Sequence, residues 1–373
     1  MRERAAWSLP FEHRITCRNM KAAIIGLPQS GKSTVFAAVT GQPVDPFALR
    51  EPRPAVVRVP DPRLQYLIDL YQPKKVTEAT VEFVDVPGCA LDDAKGQEDW
   101  KRLLPTVRLA ELLVVVVRAF PNESVAPYKN RIDPVADFAA VWEEILFADL
   151  DAVTTRLHRL EASLKKPTKT HEAEKREQVL LQRCHETLEA SKPISAAGLT
   201  EEELRHLSSF AFLSRKPIVC VQNVGDDRVL EQGGLAVDHV ADSLSLCATI
   251  EAEIAGLEAA DRGPFLADMG LAAPARDRLI QSCYRAGGFI SFLTMGPDEV
   301  RAWTIHRTST AVDAASRIHT DLARGFVRAE TVAYADLVAN KDMKGARAAG
   351  KVRKEGKSYL VADGDILNIL HSG

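Results

Sequence analysis

What these 373 residues lack narrows the field before any motif is read. The six cysteines, Cys17, Cys89, Cys184, Cys220, Cys247 and Cys283, stand singly, with no CxxC pair and no Cys/His grouping at zinc spacing. That excludes a disulfide framework and a zinc-finger site and fits reduced thiols in a cytoplasmic protein. No long apolar run exists. The longest, Leu112 to Val117, falls far short of the roughly 20 residues a membrane-spanning helix needs, so no membrane association is expected. Neither sign of charge dominates: 48 Lys and Arg face 51 Asp and Glu, a net charge of −3. No whole-molecule field therefore draws the chain to nucleic acid, no DNA specificity is expected, and any polyanion contact must come from a local patch. Ser/His/Asp and Cys/His catalytic arrangements are missing, and the nine histidines show no pairing at metal or catalytic spacing. What remains is a composition of 46% hydrophobic and 27% charged residues, ordinary for a globular chain long enough for two or three domains.

The opening MRERAAWSLPFEHR has a basic start and a brief apolar middle but no small-residue cleavage site, so residues 1–19 read as a poorly ordered extension rather than a signal peptide. From Met20 the chain reads strand (KAAIIG), glycine-bracketed loop, then helix (STVFAAVTG) closed by Gly41. Thr80–Val86, Leu112–Val117 and Pro217–Gln222 are β-branched and apolar on consecutive positions, the texture of strands buried on both faces in a parallel sheet. Between the last two, Leu150, Val153, Leu157, Leu160 and Leu164 recur at alternating spacings of three and four. Pro167 interrupts, and Leu181, Cys184 and Leu188 resume the spacing, which predicts an antiparallel helical hairpin; His158, His171 and His185 fall on it as solvated positions. Beyond Gly287, FISFLTM, EVRAWTIH, FVRAETV and KSYLVADGDILNIL alternate with turn residues and predict a small separate α+β domain.

Chemistry concentrates in GLPQSGKST, residues 26–34. Gly26-x4-Gly31-Lys32-Ser33 is the P-loop spacing: the glycines let backbone N–H groups curl toward phosphate oxygens, Lys32 supplies a point charge and Ser33 a hydroxyl for Mg²⁺. Pro28, Gln29, Ser30 and Thr34 complete the cradle, and the following helix adds the positive end of its dipole. Asp85-Val86-Pro87-Gly88 closes a strand; Asp85 is placed to reach Mg²⁺ through water, and Gly88 to let the next segment respond to a γ-phosphate. The metal ligands expected are Ser33 and Asp85, and the catalytic positions Lys32 and Gly88. Asn223-Val224-Gly225-Asp226 follows another strand where GTPases carry NKxD, with Val224 in the lysine's place. An apolar residue can pack on either purine, whereas Asp226 selects guanine only if it reaches the base edge. Ala248 and Thr249 then offer backbone N–H groups to the base from the other side.

Taken in order, these segments resemble the YchF, or Obg-like ATPase, family of P-loop proteins over nearly the whole chain from Met20. PDPRL (60–64), QPKK (72–75), VEFVD (81–85), VVVVRAF (114–120), CATIEAEIAGL (247–257), EVRAWTI (299–305), IHTDLARGFVRAE (318–330) and EGKSYLVADGDILN (355–368) carry the resemblance. It implies an α/β P-loop G domain with a mainly parallel sheet, an inserted coiled-coil hairpin and a C-terminal TGS-like β-grasp domain. The expected parts are 20–133 and 207–287 for the G domain, 134–206 for the hairpin and 288–373 for the TGS-like domain. It further implies a cytoplasmic, ribosome-associated ATPase acting in translation or stress adaptation, using ATP with Mg²⁺, and a monomer.

Several positions depart from the family pattern. Val224 fits the family's apolar residue, but Asp226 replaces its glutamate with the acid of ordinary GTPases, so GTP stays open beside ATP. Leu49, in PFALREP, replaces a threonine that in related proteins binds Mg²⁺ and reports the γ-phosphate; leucine cannot coordinate a cation. Cys89 stands where Ras-like proteins carry the glutamine that orients water, so slow hydrolysis is expected. The alternative is a catalytically weakened nucleotide-binding adaptor. Trp303 reads as a core residue with base stacking as the alternative. KDMKGARAAGKVRKEGK (341–357), with seven basic residues against two acids, is either a solvated loop or, given the resemblance, a contact for rRNA.

Overall fold

The computed structural model describes residues 20–44, 51–165 and 170–372. The expectations placed on residues 1–19, Leu49 and Pro167 lie outside the described residues. Twelve strands are described: β1 Met20–Ile25, β2 Arg53–Arg58, β3 Lys75–Thr77, β4 Thr80–Asp85, β5 Leu112–Ala119, β6 Ile218–Val224, β7 Asp242–Leu246, β8 Phe289–Thr294, β9 Glu299–His306, β10 Phe326–Ala333, β11 Arg353–Glu355 and β12 Asp365–His371. They form two sheets, ordered β2-β4-β1-β5-β6-β7 and β11-β10-β12-β8-β9-β3.

In the first sheet β1, β5, β6 and β7 are parallel neighbours. All eight residues of β5, LLVVVVRA, are buried. A strand flanked on both edges and covered on both faces has no polar side to present, which is why it reads as a continuous β-branched run. Each valine or leucine so buried contributes roughly 1.5–3 kcal/mol of transfer free energy. Because the strands run the same way, the residues that end them gather along one edge of the sheet, the position at which open α/β sheets bind ligands. The helix Lys32–Thr40 leaves that edge after β1 and stops at Gly41, whose left-handed backbone (φ 71°) turns its N–H onto the Ala37 carbonyl at 2.8 Å.

The predicted hairpin is present as helices Pro134–Ser163 and His171–Glu189. Asp133 accepts from the Ala136 N–H at the first helix's start, with Pro134 in the opening turn where its missing N–H does no harm. Val153, Leu157 and Leu160 pack with Leu181, Cys184 and Leu188 in one cluster, and Arg156 pairs bidentately with Glu177 at 2.6 and 2.8 Å. The base of the arm is anchored by Asp149, which is fully buried and accepts from the Leu213 and Ser214 N–H groups and from Arg108. No helix among the described residues is long and apolar enough to cross a membrane.

Two compact units emerge from the packing: one of residues Lys21–Ala55 and Phe83–Leu279, the other of Val56–Glu82 with the C-terminal residues from Ile280. In the latter unit the second sheet is mixed: β8 and β9 are antiparallel, β12 lies parallel to β8, and β10 runs antiparallel to both β12 and β11. Strand β3 pairs in parallel with β9, from Lys75↔Glu299 to Thr77↔Arg301, so the stretch around QPKK belongs to this sheet. Helix Ala311–Ile318, capped reciprocally by Thr310 and Asp313, covers a core that includes Phe292, Ile305 and Leu367. Trp303 is partly buried in the same core, stacked on Phe292 and covered by Arg301, with its indole N–H on Thr294. The burial accounts for this tryptophan as a packing residue.

Candidate functional site

At the end of β1 the chain turns through residues 26–31 and enters the helix Lys32–Thr40. Gly31 holds a left-handed backbone (φ 86°), and a Cβ there would collide with the Asn223 carboxamide. Two of the predicted phosphate ligands are held in buried surroundings. Lys32 is 7% exposed, with Nζ 3.4 Å from the Leu27 carbonyl, and burial pushes its pKa below the ordinary value while Asp85 opposes that shift. Ser30 is 2% exposed and its hydroxyl has no hydrogen-bond partner. An orphaned buried hydroxyl and a desolvated ammonium are costly in an isolated protein; an anion in the loop would satisfy both. Pro28 is half-buried and Gln29 exposed at φ 61°, its carbonyl turned to Arg118. Thr34 is half-buried on the helix.

Asp85 arrives from the end of β4. It is 7% exposed, hydrogen-bonded to the Ser33 hydroxyl, and keeps its Oδ1 without a partner. Burial raises its pKa, and Ser33, Lys32 and Arg53 pull it back. A buried carboxylate with a free oxygen beside a hydroxyl and a lysine suits a hard divalent cation such as Mg²⁺, held with water and phosphate oxygens rather than by an all-protein cage. The described residues contain no group of three or more His, Cys, Asp or Glu that could hold a metal ion by themselves. Bound there, Mg²⁺ would neutralise β- and γ-phosphate charge. Gly88 lies directly against Lys32: a Cβ at this position would overlap Nζ and sit 3.1 Å from the Pro28 Cα. The segment after Asp85 therefore touches both the loop and its lysine, and any side chain at position 88 would have to displace the Lys32 ammonium.

Cys89 is packed into the core, although its thiol stays close enough to Lys32 for the two to interact electrostatically. It is 7% exposed and packed with Trp100, Leu103 and Val141, and burial pushes its thiol up to about 11. It is neither a nucleophile nor a group that can hold water at the phosphate. The helix that follows, Ala94–Arg108, is capped by Asp93.

The opposite end of the site is built differently. The Asn223 carboxamide donates to the Ser30 carbonyl at 3.1 Å and accepts from the Ala248 N–H at 3.1 Å, tying the loop after β1 to the one after β7. Val224 is 2% exposed, in an apolar cluster with Ala119 and Cys247. Its side chain thus faces the protein interior and offers little surface to a base. Asp226 is exposed, its carboxylate accepting from the Asp227 N–H. Thr249 is exposed with its hydroxyl 3.1 Å from the Cys247 sulfur.

Sequence reasoning passed over Arg118 and Phe120. Arg118, 2% exposed at the end of β5, donates to the carbonyls of Gln29 (3.4 Å), Phe120 (3.1 Å) and Val125 (2.8 Å), and its guanidinium lies 4.5 Å from the Phe120 ring centre. Phe120 in turn approaches both Gly31 and Gly225, within 3.7 Å of where a Cβ on either would stand. The signal was a charged residue inside an otherwise apolar strand run.

Comparison with known proteins places this geometry. A family model described as 50S ribosome-binding GTPase matches residues 21–147, and the YchF-GTPase_C model, described as a protein of unknown function, matches residues 289–372. The "Ribosome-binding ATPase YchF" of Bacillus subtilis is 36% identical over 362 residues, covering 94% of this chain and 98% of that protein. The protein of the same name from Haemophilus influenzae is 37% identical over 361 residues, covering 93% and 98%. Among solved structures, the Schizosaccharomyces pombe YchF GTPase superposes with a TM-score of 0.78 at 26% identity, covering 98% of this chain and all of that one.

Proposed function

The chain belongs to the YchF family, and on that premise we propose that it is a Mg²⁺-dependent P-loop nucleotide-binding protein, a slow ATPase that converts ATP to ADP and phosphate in association with ribosomes. One observation carries the reading: Lys32, Ser33, Asp85 and Gly88 converge on one buried corner whose unsatisfied polar atoms are the complement of a metal-bound phosphate chain. In this reading Lys32 stabilises the charge that develops on the transferred phosphoryl group, Ser33 and Asp85 hold the metal, and residues 28–34 wrap the phosphates. Asn223 positions the loops and takes up the Ala248 N–H, so that this expected base contact is spent within the protein; Thr249 faces the base, and Phe120 forms an apolar wall beside it. Val224 acts chiefly by withholding the lysine that would cover guanine, which favours ATP, while Asp226 keeps GTP as a competing base. Hydrolysis is slow because Cys89 is turned into the core and leaves attacking water without an orienting side chain.

The domain reading is a G domain of 20–133 and 207–287, a helical arm of 134–206 and a TGS-like domain of 288–373, working as a monomer in the cytoplasm; residues 56–82 and 280–287 of the two G-domain segments pack as one unit with the C-terminal residues. Ribosome contact falls to the arm and to the C-terminal domain, where residues 341–357 contribute to rRNA phosphates. All seven basic residues of that stretch are exposed, and Lys344, Lys354 and Lys357 lie outside the ion pairs made by Arg347, Lys351 and Arg353. The burial of Cys89 also favours a second reading, an adaptor that holds nucleotide without turning it over. Single-turnover assays with MgATP and MgGTP, with and without ribosomes, decide between them: the first reading expects slow ATP cleavage accelerated by ribosomes, and tight binding with no cleavage under any condition establishes the adaptor.

A further inference from the structure

The unit formed by Val56–Glu82 and the C-terminal residues contains a cavity of about 560 Å³, every lining residue of which belongs to that unit. Its volume lies in the range of small-molecule sites. Charge along its wall is uneven. Arg63 is locked by Asp61 and Asp363 through four hydrogen bonds of 2.7–3.3 Å, so one of the two negative charges is offset and the trio is a rigid wall with a net charge of −1, outweighed by the two further arginines of the cavity. Arg285 and Arg307 line the same cavity and are exposed, and neither forms an ion pair among the described residues. Arg307 is anchored beside the backbone of Arg285, donating one guanidinium N–H to the Arg285 carbonyl at 2.7 Å and leaving four of its five donors for other partners. Beside them Phe289 presents a half-buried ring, fixed between Tyr284 and His306 at centroid distances of 6.0 Å.

Two arginines lining one cavity can converge on a phosphate through their guanidinium forks, and an aromatic ring in the same lining is what holds a base. We propose that this cavity is a second nucleotide site, independent of the P-loop, in which Arg285 and Arg307 bind the phosphate of a nucleoside monophosphate unit and Phe289 stacks on its base. The unit's source is either a free nucleotide or the phosphorylated end of a short single strand of RNA; the shared chemistry is the monophosphate with its base.

The test uses the full chain with the P-loop saturated by MgADP, titrated calorimetrically with inorganic phosphate, UMP, a 5′-phosphorylated trinucleotide RNA and a glutamate-rich peptide. Saturable UMP binding is expected, weakened about tenfold by each of Arg285→Gln and Arg307→Gln, while MgADP affinity and the melting temperature stay at their original values. Phe289→Leu should reduce UMP affinity toward that of inorganic phosphate and leave phosphate binding intact. A trinucleotide that binds more tightly than UMP identifies RNA as the source, and equal affinities identify the free nucleotide; either supports the site. The proposal is overturned if no probe saturates, if UMP binding survives in the double variant, or if the acidic peptide binds as tightly as UMP and competes with it.

Discussion

The two ends of the P-loop site are constructed on opposite principles. At the phosphate end, polar groups are buried with unmet capacity: the Ser30 hydroxyl and one oxygen of Asp85 have no partner, and the desolvated Lys32 ammonium has only a 3.4 Å contact to the Leu27 carbonyl. At the base end, the buried groups are satisfied by the protein itself. Asn223 is engaged by both loops and Val224 by its apolar cluster, and the one carboxylate available, Asp226, stands in solvent. Unsatisfied buried groups discriminate strongly, because the wrong ligand leaves them costly; an exposed carboxylate discriminates weakly, because water competes for it. On the proposed reading the site is strict about phosphate and metal and permissive about base.

That contrast is broken most directly at the lysine. Lys32→Ala should weaken MgATP and MgGTP binding equally, on the order of a hundredfold or more, since it removes a charge-assisted contact from a desolvated position. Equilibrium titration with both nucleotides checks this, and unequal losses would assign the lysine a role at the base end. Gly88→Ala should approach the same loss, because its methyl group displaces the Lys32 ammonium.

Asp85→Asn should abolish the Mg²⁺ dependence of nucleotide affinity, leaving a residual affinity that is the same with the metal or with a chelator. The pH behaviour follows from burial. With its folded pKa raised above the model-peptide value of 3.8, Asp85 holds its proton in the native chain after the unfolded chain has lost it. Its contribution to the stability of the nucleotide-free protein is thus full below 3.8 and declines as pH rises through the raised value. Melting curves across mildly acidic pH should show this decline in the wild-type chain and not in Asp85→Asn, and Mg²⁺ with nucleotide should reverse it.

A smaller effect is expected at the joint between the two ends. Asn223→Ala removes the bridge from the Ser30 carbonyl to the Ala248 N–H and should lower affinity for both nucleotides by roughly tenfold, with little change in their ratio, corresponding to one or two net hydrogen bonds. The smallest is at Asp226. Asp226→Ala should reduce GTP binding by only about five- to tenfold and leave ATP nearly unchanged, the weight of one exposed hydrogen-bonding group.

How much of this was legible in the sequence follows the distance over which each feature is built. The P-loop was legible because its glycines, lysine and serine act within one turn and their spacing is the geometry. The buried strand β5 and the hairpin seam were legible because periodicity reports burial directly. The Asn223 bridge was not, because its meaning depends on a backbone carbonyl 193 residues away. Val224 was legible as apolar but not as buried, and only its neighbours Ala119 and Cys247 decide that its side chain turns from the base. Arg118 was passed over because a charge at the end of an apolar strand gains its role only from the Gln29 and Val125 carbonyls folded around it. The pairing of β3 with β9 was hidden for the same reason: three exposed or half-buried residues carry no pattern of their own.

The central claim, strict phosphate recognition beside permissive base recognition, is tested most directly by titrating the nucleotide-free protein with MgATP, MgGTP and magnesium tripolyphosphate under one set of conditions. The account predicts ATP ahead of GTP by no more than about tenfold, with tripolyphosphate retaining most of the binding free energy. A preference for either base of a thousandfold or more, or a tripolyphosphate affinity too weak to measure, would contradict it.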